Sequence, residues 1–331
     1  MILVTGGAGY IGSHCVYELL KQNQEVIVFD NISTGHYKTI KVLSAQFPDL
    51  LHFYRGDLLT KDDLQIVFSL YKIDSVIHFA ALSQVSTSMS YPYEYYNNNV
   101  VGTMNLLETM VNSGVRKIVF SSTASIYGNP VELPITESHP KQPINTYGCT
   151  KMIIEQMLAD FDRAYGLKSI SLRYFNVVGS NGIVGEWHEP ETHLIPCILK
   201  STSRKSKPFH LYGQDYNTKD GTCVRDYIDV TDLAQAHLLA LQYLDKTNTS
   251  DCFNLGTNQG YTVKEILATC EEVTKKYVPV IYSERRPGDP PILIADNHKA
   301  MTLLGWEPTT SIEKSIQSAY EWEQSLQHFK N

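Results

Sequence analysis

The sequence has few cysteines, no excess of positive charge and no long apolar run, and each absence excludes a class of protein. Six cysteines are scattered through 331 residues, without a CxxC pair or a cluster with His at zinc-ligand spacing. Neither a disulfide-dense scaffold nor a metal site is therefore expected. Lys and Arg number 28 against 35 Asp and Glu, and the net charge of −7 gives no overall positive field for nucleic acid or an anionic membrane. A local cationic pocket for a small anion is compatible with this balance.

What the chain does contain is enough apolar mass for a folded core. Hydrophobic residues make up 43% of the 331 positions, and this length corresponds to roughly two domains of about 150 residues. Met1–Thr5 lead directly into a glycine cluster, without the basic and long apolar regions of a signal peptide. No apolar run reaches the roughly 18 residues of a membrane span. We therefore expect a cytoplasmic protein whose cysteines are reduced thiols.

Short β-branched or apolar runs alternate with helical patterns in the first half of the chain. The predicted strands are Ile2–Thr5, Glu25–Phe29, Leu51–Tyr54, Ser75–Phe79, Lys117–Ser121 and Ser169–Arg173. The predicted helices are Tyr10–Lys21, Leu64–Tyr71, Tyr93–Ser113 and Tyr147–Tyr165. Parallel strands need crossover helices, so this alternation predicts an α/β fold with a doubly wound, mostly parallel sheet.

The sequence pattern changes after Asn176, where glycine and proline residues interrupt any long helical or strand periodicity. A helical stretch near Asp232–Leu244 and a strand near Cys252–Leu255 nevertheless suggest a return to the sheet. We therefore expect a first domain over 1–176, with return segments near 223–255, and a smaller, interleaved C-terminal lobe over 177–331.

The first loop carries glycines at 6, 9 and 12, directly after a strand and directly before a helix. Gly6 suits a tight turn, Gly9 lets the backbone approach a pyrophosphate, and Gly12 lets the helix pack on the strand. The helix N-terminus adds free N–H groups and partial positive charge. This context predicts a Rossmann-type dinucleotide site rather than an ordinary strand-to-helix turn.

Asp30 ends the second predicted strand, eighteen residues after Gly12. A carboxylate there accepts hydrogen bonds from an adenosine ribose and repels a 2′-phosphate, so it favours NAD over NADP, the alternative being a simple turn residue. Asp57 and Phe79 also lie near the carboxyl ends of strands, the edge where open α/β sheets bind ligands.

A second constellation has the chemistry for proton transfer. Tyr147 and Lys151 are four residues apart in a predicted helix and share a face. A neighbouring ammonium and a positively charged nicotinamide would both stabilise a phenolate, each pKa unit corresponding to about 1.4 kcal/mol. Thr123 ends the fifth strand, where its hydroxyl can hold or relay a proton. The plain alternatives are an exposed helix face and a loop-capping hydroxyl.

Several segments together resemble a known family. TGGAGYIG at 5–12, FSSTASIYG at 120–128, YGCTK at 147–151 and LRYFN at 172–176 resemble the extended short-chain dehydrogenase/reductases. GTCVRDYIDVTDLAQAH at 221–237 and RRPGDPP at 285–291 make the chain similar to the nucleotide-sugar epimerases of that family. The resemblance spans essentially the whole chain.

The resemblance implies reversible inversion at C4 of UDP-glucose and UDP-galactose through a 4-ketose, with tightly bound NAD. It implies that Tyr147 is the base, Lys151 its electrostatic partner and ribose anchor, and Thr123 an assisting hydroxyl. The implied cofactor contacts are Gly6, Gly9, Tyr10, Ile11, Gly12, Asp30, Asn31, Asp57, Leu58, Phe79, Ala80, Asn98, Tyr147, Lys151 and Phe175. The implied substrate contacts are Thr123, Asn176, Leu194, Tyr212, Arg225, Arg286, Asp289 and Leu293. It also suggests a homodimer formed through paired helices.

Three positions depart from one form of the family, and other activities stay open. Ser83 stands where Lys often follows FAAL, His193 where Asn often precedes Leu194, and Leu293 where Tyr can line the sugar pocket. A 4,6-dehydratase or decarboxylase would carry acidic residues after Thr123, but Ala124 and Ser125 follow it. A UDP-N-acetylhexosamine 4-epimerase and a non-enzymatic NAD-sensing protein are the remaining alternatives.

Overall fold

The structure is a computed structural model that describes residues 1–203, 207–286 and 289–330, and its largest element is a seven-stranded sheet. The strands are β1 (Ile2–Thr5), β2 (Val26–Asp30), β3 (Leu51–Arg55), β4 (Ser75–His78), β5 (Lys117–Thr123), β6 (Lys168–Tyr174), β7 (Asn176–Val178), β8 (Phe209–Tyr212), β9 (Val224–Arg225), β10 (Tyr227–Asp229), β11 (Asp251–Leu255), β12 (Tyr261–Thr262), β13 (Val280–Ser283) and β14 (Ile292–Leu293).

Helices connect and cover these strands. They are α1 (Tyr10–Lys21), α2 (Tyr37–Gln46), α3 (Lys61–Leu70), α4 (Val85–Ser90), α5 (Pro92–Tyr95), α6 (Gly102–Asn112), α7 (Thr146–Tyr165), α8 (Leu194–Ser201), α9 (Val230–Thr247), α10 (Val263–Thr274) and α11 (Ile312–Lys330). A π-helical segment, Tyr96–Val101, joins α5 to α6; a 3₁₀ turn covers Ala124–Tyr127, and a second π segment covers Ala300–Leu304. Within the described residues, no helix is both long and apolar enough to cross a membrane.

The central sheet has the order β11-β6-β5-β4-β1-β2-β3, and every neighbouring pair is parallel. The carboxyl ends of all seven strands therefore meet at one edge. The chain reaches β11 only after it has entered the second lobe, and Phe253 of β11 pairs with Leu172 of β6. This confirms the α/β fold with a parallel central sheet.

Helices bury apolar side chains on both faces of the sheet. On one face, α1 and α9 contribute Leu19, Leu20, Leu233 and Leu244 to a shared core. On the other face, α3, α6 and α7 contribute Leu64, Leu106, Met110, Ile154 and Leu158. Full burial of each such side chain contributes about 1.5–3 kcal/mol, which holds the sheet as a rigid platform.

The second lobe is built from small sheets and three helices. Strands β8 and β13 pair, as do β7 and β10, while β12, β9 and β14 form a three-stranded sheet. Ile198 of α8, Leu211 of β8, Ile266 of α10 and Ile316 of α11 pack in one core. This lobe faces the carboxyl edge of the central sheet.

One predicted helix differs from the structure, and one observed helix is absent from the prediction. The stretch predicted as one helix over Tyr93–Ser113 is interrupted by the π-helical segment, which starts one residue after Tyr95. The wider turn brings Asn99 inside, where it is fully buried. Helix α2 was not predicted, because only Thr39, Ile40 and Leu43 of its ten residues are buried.

Candidate active site

A cavity of about 1030 Å³ opens at the carboxyl edge of the sheet, between the two lobes. Every candidate residue named from the sequence lines it, from Gly6 in the first loop to Leu293 on β14. One cleft thus brings together the predicted cofactor, catalytic and substrate groups.

The glycine loop is shaped by contacts that exclude side chains. Gly6 has φ +72°, and a Cβ there would lie 2.6 Å from the backbone nitrogen of Ala80. A Cβ on Gly12 would lie 2.3 Å from the carbonyl oxygen of Gly6. Gly9 precedes α1 as its N-cap and provides no side-chain cap. The helix N-terminus is left open to the cavity, a cradle that fits a dinucleotide pyrophosphate.

Asp30 is buried at the end of β2 and accepts two backbone hydrogen bonds. The N–H of Ala8 donates to Oδ2 (3.0 Å) and the N–H of Ile32 donates to Oδ1 (2.8 Å). Burial raises the pKa of this carboxyl, while the two backbone donors act against that shift. Nearby, Asn31 Nδ2 donates to Asp57 Oδ2 (2.9 Å). The site thus offers carboxylate acceptors rather than cations at the end of β2.

Asn99 is a positioning residue that the sequence reasoning missed. Its Oδ1 accepts from the N–H of Leu82 (2.8 Å), and its Nδ2 donates to the Leu82 carbonyl (3.0 Å) and to Thr150 Oγ1 (3.1 Å). Asn98, beside it, lines the cavity and donates to Asn99 Oδ1 (2.9 Å). Asn99 therefore ties the loop after β4 to α7. The NNN run at 97–99 was its signal, but only the π turn reveals which Asn points inward.

The proton-transfer group is assembled from β5 and α7. Tyr147 of α7 and Thr123 of β5 both line the cavity, and the Thr123 side chain favours the Tyr147 phenolate. Lys151 is almost completely buried; its Nζ donates to the carbonyl of Ser121 (2.7 Å) and lies 5.9 Å from the centre of the Tyr147 ring. Asn145 caps the start of α7 by accepting from the N–H of Gly148 (2.8 Å). The cap fixes the helix turn that carries both side chains.

Burial dominates the electrostatics of this pair. It raises the pKa of Tyr147 to about 12, although the Thr123 side chain favours the phenolate. Burial also lowers the pKa of Lys151 to about 7. The ammonium is held by the Ser121 carbonyl rather than by the phenol oxygen, so Lys151 alone does not bring Tyr147 to a working pH. A second positive charge in the cavity is required, as the sequence argument assumed.

Two arginines of the second lobe face the cavity, and each is held by different neighbouring groups. Arg225 of β9 lies 3.6 Å from Asp289 through Nη2, and its Nη1 donates to the Val224 carbonyl (2.9 Å). The guanidinium of Arg286 lies 4.0 Å from the centre of the Tyr212 ring. Stacking on Tyr212 leaves the edge donors of Arg286 available for an anion.

Leu293 lies beside the 3₁₀ turn that covers Ala124–Tyr127. It pairs with Arg225 in the β14–β9 ladder and packs on the cluster that contains Ala124 and Phe175. Ser83 and His193, the other two departures from the family pattern, also line the cavity.

The cavity wall holds one further cluster that was not predicted. Glu186, His188, Glu191 and His193 bring one donor atom each to within 4.8 Å of one another. Burial opposes charge on His193, but Glu186 and Glu191 outweigh it and raise the pKa of His193 to about 10. Burial likewise opposes ionisation of Glu186, and the facing histidines overcome it and lower the pKa to about 2. The ExHxxExH spacing was the available signal.

Comparisons with known proteins point to one group. A family model described as GDP-mannose 4,6 dehydratase matches residues 3–319. A curated UDP-glucose 4-epimerase of Halalkalibacterium halodurans is 48% identical over 330 residues, covering 99% of this chain and 96% of that protein. One from Lactobacillus helveticus is 48% identical over 327 residues, covering 98% and 97%.

Solved structures agree with these sequences. The UDP-glucose 4-epimerase of Bifidobacterium longum in complex with NAD+ and UDP superposes with a TM-score of 0.94 at 38% identity, covering 98% of each chain. The UDP-Glc/GlcNAc 4-epimerase of Campylobacter jejuni superposes with a TM-score of 0.85 at 40% identity, covering 98% of this chain and 99% of that chain.

Proposed function

This chain belongs to the UDP-glucose 4-epimerases of the extended short-chain dehydrogenase/reductase family, and from that premise we propose how its residues perform the reaction. It interconverts UDP-glucose and UDP-galactose by reversible inversion at C4, with NAD as a resident cofactor. The observation that carries the residue assignment is that Thr123, Tyr147 and Lys151 line the same cavity as the glycine loop and Arg225.

The cofactor half of the cavity suits NAD. The open N-terminus of α1 receives the pyrophosphate, and Asp30 accepts from the adenosine ribose through the lone pairs that its backbone donors leave free. When bound, NAD would supply the acceptor and donor of the C4 hydride and a positive charge in the cavity.

Tyr147 moves the proton. Its oxygen takes the proton from the C4 hydroxyl when the ketose forms and returns it when the hexose is regenerated. Thr123 favours the phenolate form of Tyr147 and is available to the sugar hydroxyl. Lys151 is fixed by Ser121 behind the Tyr147 ring, where it adds positive potential and has donors left for the nicotinamide ribose.

The second lobe anchors the nucleotide and leaves the hexose free to turn. Arg225 and Arg286 bind the diphosphate by charge-assisted hydrogen bonds, and Asp289 accepts from the uridine ribose. Asn176, Leu194 and Phe175, with the others named above, line the remaining wall. Firm anchoring at the diphosphate suits inversion, because the 4-ketose has to present its other face before hydride returns.

The two halves of the cavity, one for the cofactor and one for the nucleotide sugar, correspond to the two domains. We assign NAD to the first domain, 1–176 with the return segments near 223–255, and the UDP-sugar to the lobe over 177–331. The dehydratase and decarboxylase alternatives lack support at the residues after Thr123, since Ala124 and Ser125 offer no carboxylate. The catalytic group also has no purpose in a protein that only senses NAD.

The decisive experiment is to incubate the purified protein with UDP-galactose, without added NAD, and to follow UDP-glucose. Appearance of UDP-glucose without external cofactor supports the proposal. A 4-keto-6-deoxy sugar as product would support the dehydratase alternative, and no turnover with or without added NAD would contradict the assignment.

Leu293 favours a second, slower substrate class. Leu in place of Tyr widens the wall beside the sugar, so an N-acetyl group fits partly, and discrimination of about 1–3 kcal/mol is expected. Leu293→Tyr should therefore raise the preference for UDP-galactose over UDP-N-acetylgalactosamine, measured as the ratio of kcat/KM. An unchanged ratio would place Leu293 outside the sugar wall.

We also propose a cytoplasmic homodimer. All six cysteines are free thiols, which suits a reducing compartment. Tyr93, Val101 and Met104 lie exposed along α5 to α6 and are 75%, 45% and 41% accessible. A second copy packing helix to helix would cover these apolar side chains. Light scattering of the wild type and of a Val101→Glu, Met104→Glu variant tests the dimer.

A further inference from the structure

The segment between β7 and α8 concentrates four metal-binding side chains in the cavity wall. His193 Nδ1 lies 2.9 Å from both Glu186 Oε1 and Glu191 Oε1. His188 Nδ1 lies 3.2 Å from Glu186 Oε1 and 4.0 Å from Glu191 Oε2. All four donor atoms fall within 4.8 Å of one another, so a single ion placed among them reaches each one with small side-chain movements.

Internal hydrogen bonds satisfy this cluster only in part: Glu191 Oε1 accepts from the N–H groups of Thr192 and His193 and from His193 Nδ1. His188 Nδ1 is a buried atom without a hydrogen-bond partner in the described residues, because its approach to Glu186 lacks hydrogen-bond geometry. The two carboxylates are buried as well, with side chains 10% exposed for Glu186 and 6% for Glu191. Lys200 also lies near Glu191, with its Nζ 3.9 Å from Oε2. A buried imidazole nitrogen without a partner is costly unless a ligand engages it.

The backbone that carries the cluster is fixed from outside. The indole N–H of Trp322 on α11 donates to the Glu186 carbonyl (2.9 Å), and the His36 ring is stacked on Trp187 at 3.5 Å. The Tyr10 ring meets His188 edge-on, with centroids 6.4 Å apart. Three other parts of the chain therefore hold the segment so that its donors converge, which is the preorganisation a metal site needs.

The donor set selects the kind of ion. Two imidazoles and two carboxylates suit tetrahedral Zn²⁺, whose usual distances are about 2.0–2.2 Å to nitrogen and oxygen. Mg²⁺ and Ca²⁺ prefer all-oxygen sites, which the two histidines do not provide. Four protein ligands leave no open position, so the ion would be structural rather than catalytic.

We propose that Glu186, His188, Glu191 and His193 bind one Zn²⁺ that fixes the wall of the active cavity just before α8. The ion ties the segment to Leu194, the first residue of α8 and a lining residue of the cavity. Zinc binding requires neither NAD nor a UDP-sugar, so this proposal stands or falls separately from the proposed function.

The test is zinc stoichiometry and affinity in the full chain. The protein is stripped with a chelator, loaded with zinc sulfate, desalted and analysed by mass spectrometry for metal content. Competition with a chromophoric zinc chelator gives the affinity. We expect one zinc per chain, a rise in Tm on loading, and no comparable rise with Mg²⁺ or Ca²⁺.

Variants separate the cluster from adventitious capture. His188→Gln and Glu191→Gln should each weaken zinc binding by at least about a hundredfold, since loss of groups that only orient a ligand already costs about 10–100-fold. His298→Gln, at an exposed position, is the matched control and should bind as the wild type does. Cys197→Ser should also retain zinc, although its thiol donates to the Glu191 carbonyl at 3.7 Å.

The melting curve of each stripped variant shows whether it is folded before zinc is added. A folded wild type without stoichiometric zinc would overturn the proposal and leave the cluster as ion pairs between His193 and the two carboxylates. So would zinc that survives both ligand substitutions, or zinc that is lost only with Cys197→Ser.

Discussion

At the scale of single residues, the site is governed by what burial does to charge. Lys151 is enclosed, with its ammonium held by a single named acceptor, the Ser121 carbonyl, and its pKa is lowered to about 7. Tyr147, one helical turn away, is pushed in the direction that keeps it neutral, to a pKa of about 12. Burial thus disfavours charge on both side chains, so the protonation state of the pair depends on the charge that the ligands bring.

Tyr147→Phe should keep the fold and the bound cofactor but lower kcat by at least about a hundredfold, because the general base is lost. Only the hydroxyl oxygen is removed, and the ring, which fills the buried position, stays. Steady-state assays with UDP-galactose and absorbance of the bound nucleotide give the two readouts. Tyr277→Phe, at a side chain 78% exposed, is the control. Turnover like that of the wild type in Tyr147→Phe would remove Tyr147 from the mechanism.

Lys151→Met should stabilise the protein near neutral pH while lowering its activity. The folded pKa lies below the ordinary value of 10.5, so the unfolded chain binds more protons between about pH 7 and 10.5. The penalty of burying Lys151 is therefore full below pH 7 and fades as the pH rises toward 10.5. We expect a gain of about 1–3 kcal/mol at pH 6.5, reduced by the Ser121 carbonyl left without its donor.

Urea unfolding at pH 6.5 and pH 9.5 measures this effect, and the gain should shrink at the higher pH. The exposed Lys246→Met serves as the control and should change the free energy of unfolding by less than about 0.5 kcal/mol at both values. A gain that does not vary with pH would mean that Met simply packs better than Lys there.

At the scale of elements, the sequence predicted strands well because buried parallel strands have a strong apolar signature. Ile2–Thr5 agrees at both ends, and Lys168–Tyr174 extends one residue beyond the prediction on each side. The sequence of helix α2 has no clear apolar periodicity, because only three of its ten side chains are buried. The π segment lacked a sequence signal because its irregularity follows from hydrogen bonds to Leu82 and Thr150, which are distant in sequence.

The same distinction holds for the site. The glycines, Tyr147 and Lys151 have fixed spacings within one turn or helix, so the sequence pattern alone suggested them. Asn99 required knowledge of an inserted residue in a helix. The cluster from Glu186 to His193 lies in a segment without helical or strand periodicity, so only the folded backbone shows that its side chains converge.

Asn99→Ala should destabilise the protein and loosen the cofactor site. The substitution leaves the buried N–H and carbonyl of Leu82 without their partners, at a cost of about 2–4 kcal/mol. Leu82 lines the cavity, so NAD content should fall as well. Thermal unfolding and the nucleotide content of the purified protein are the measurements, with the exposed Asn112→Ala as control. If both variants match the wild type, the π segment is not held by Asn99.

At the scale of the whole molecule, the two halves of the cavity make separate demands on ligands. In the proposed mechanism, the first loop and Asp30 select the dinucleotide, and the second lobe selects the sugar nucleotide. Protein denatured after purification should therefore release NAD(H), because a 2′-phosphate would lie against the Asp30 carboxylate. Chromatography of the released nucleotide distinguishes NAD(H) from NADP(H). Asp30→Ala should reduce the preference of the protein for NAD(H) over NADP(H). If the denatured wild-type protein released mainly NADP, Asp30 would have no role in cofactor selection and would be only a turn residue.

Strand β11 comes late in the sequence although it completes the central sheet beside β6, and this order affects folding during synthesis. Until residue 255 has been made, β6 is an unprotected sheet edge and α1 lacks the apolar partner that α9 provides. At about 5–20 residues per second, a ribosome needs about 13–50 s to reach that point. Since β6 ends at Tyr174 and β11 at Leu255, the β6 edge itself stays uncovered for about 4–16 s of that time, the interval in which chaperones have most to protect.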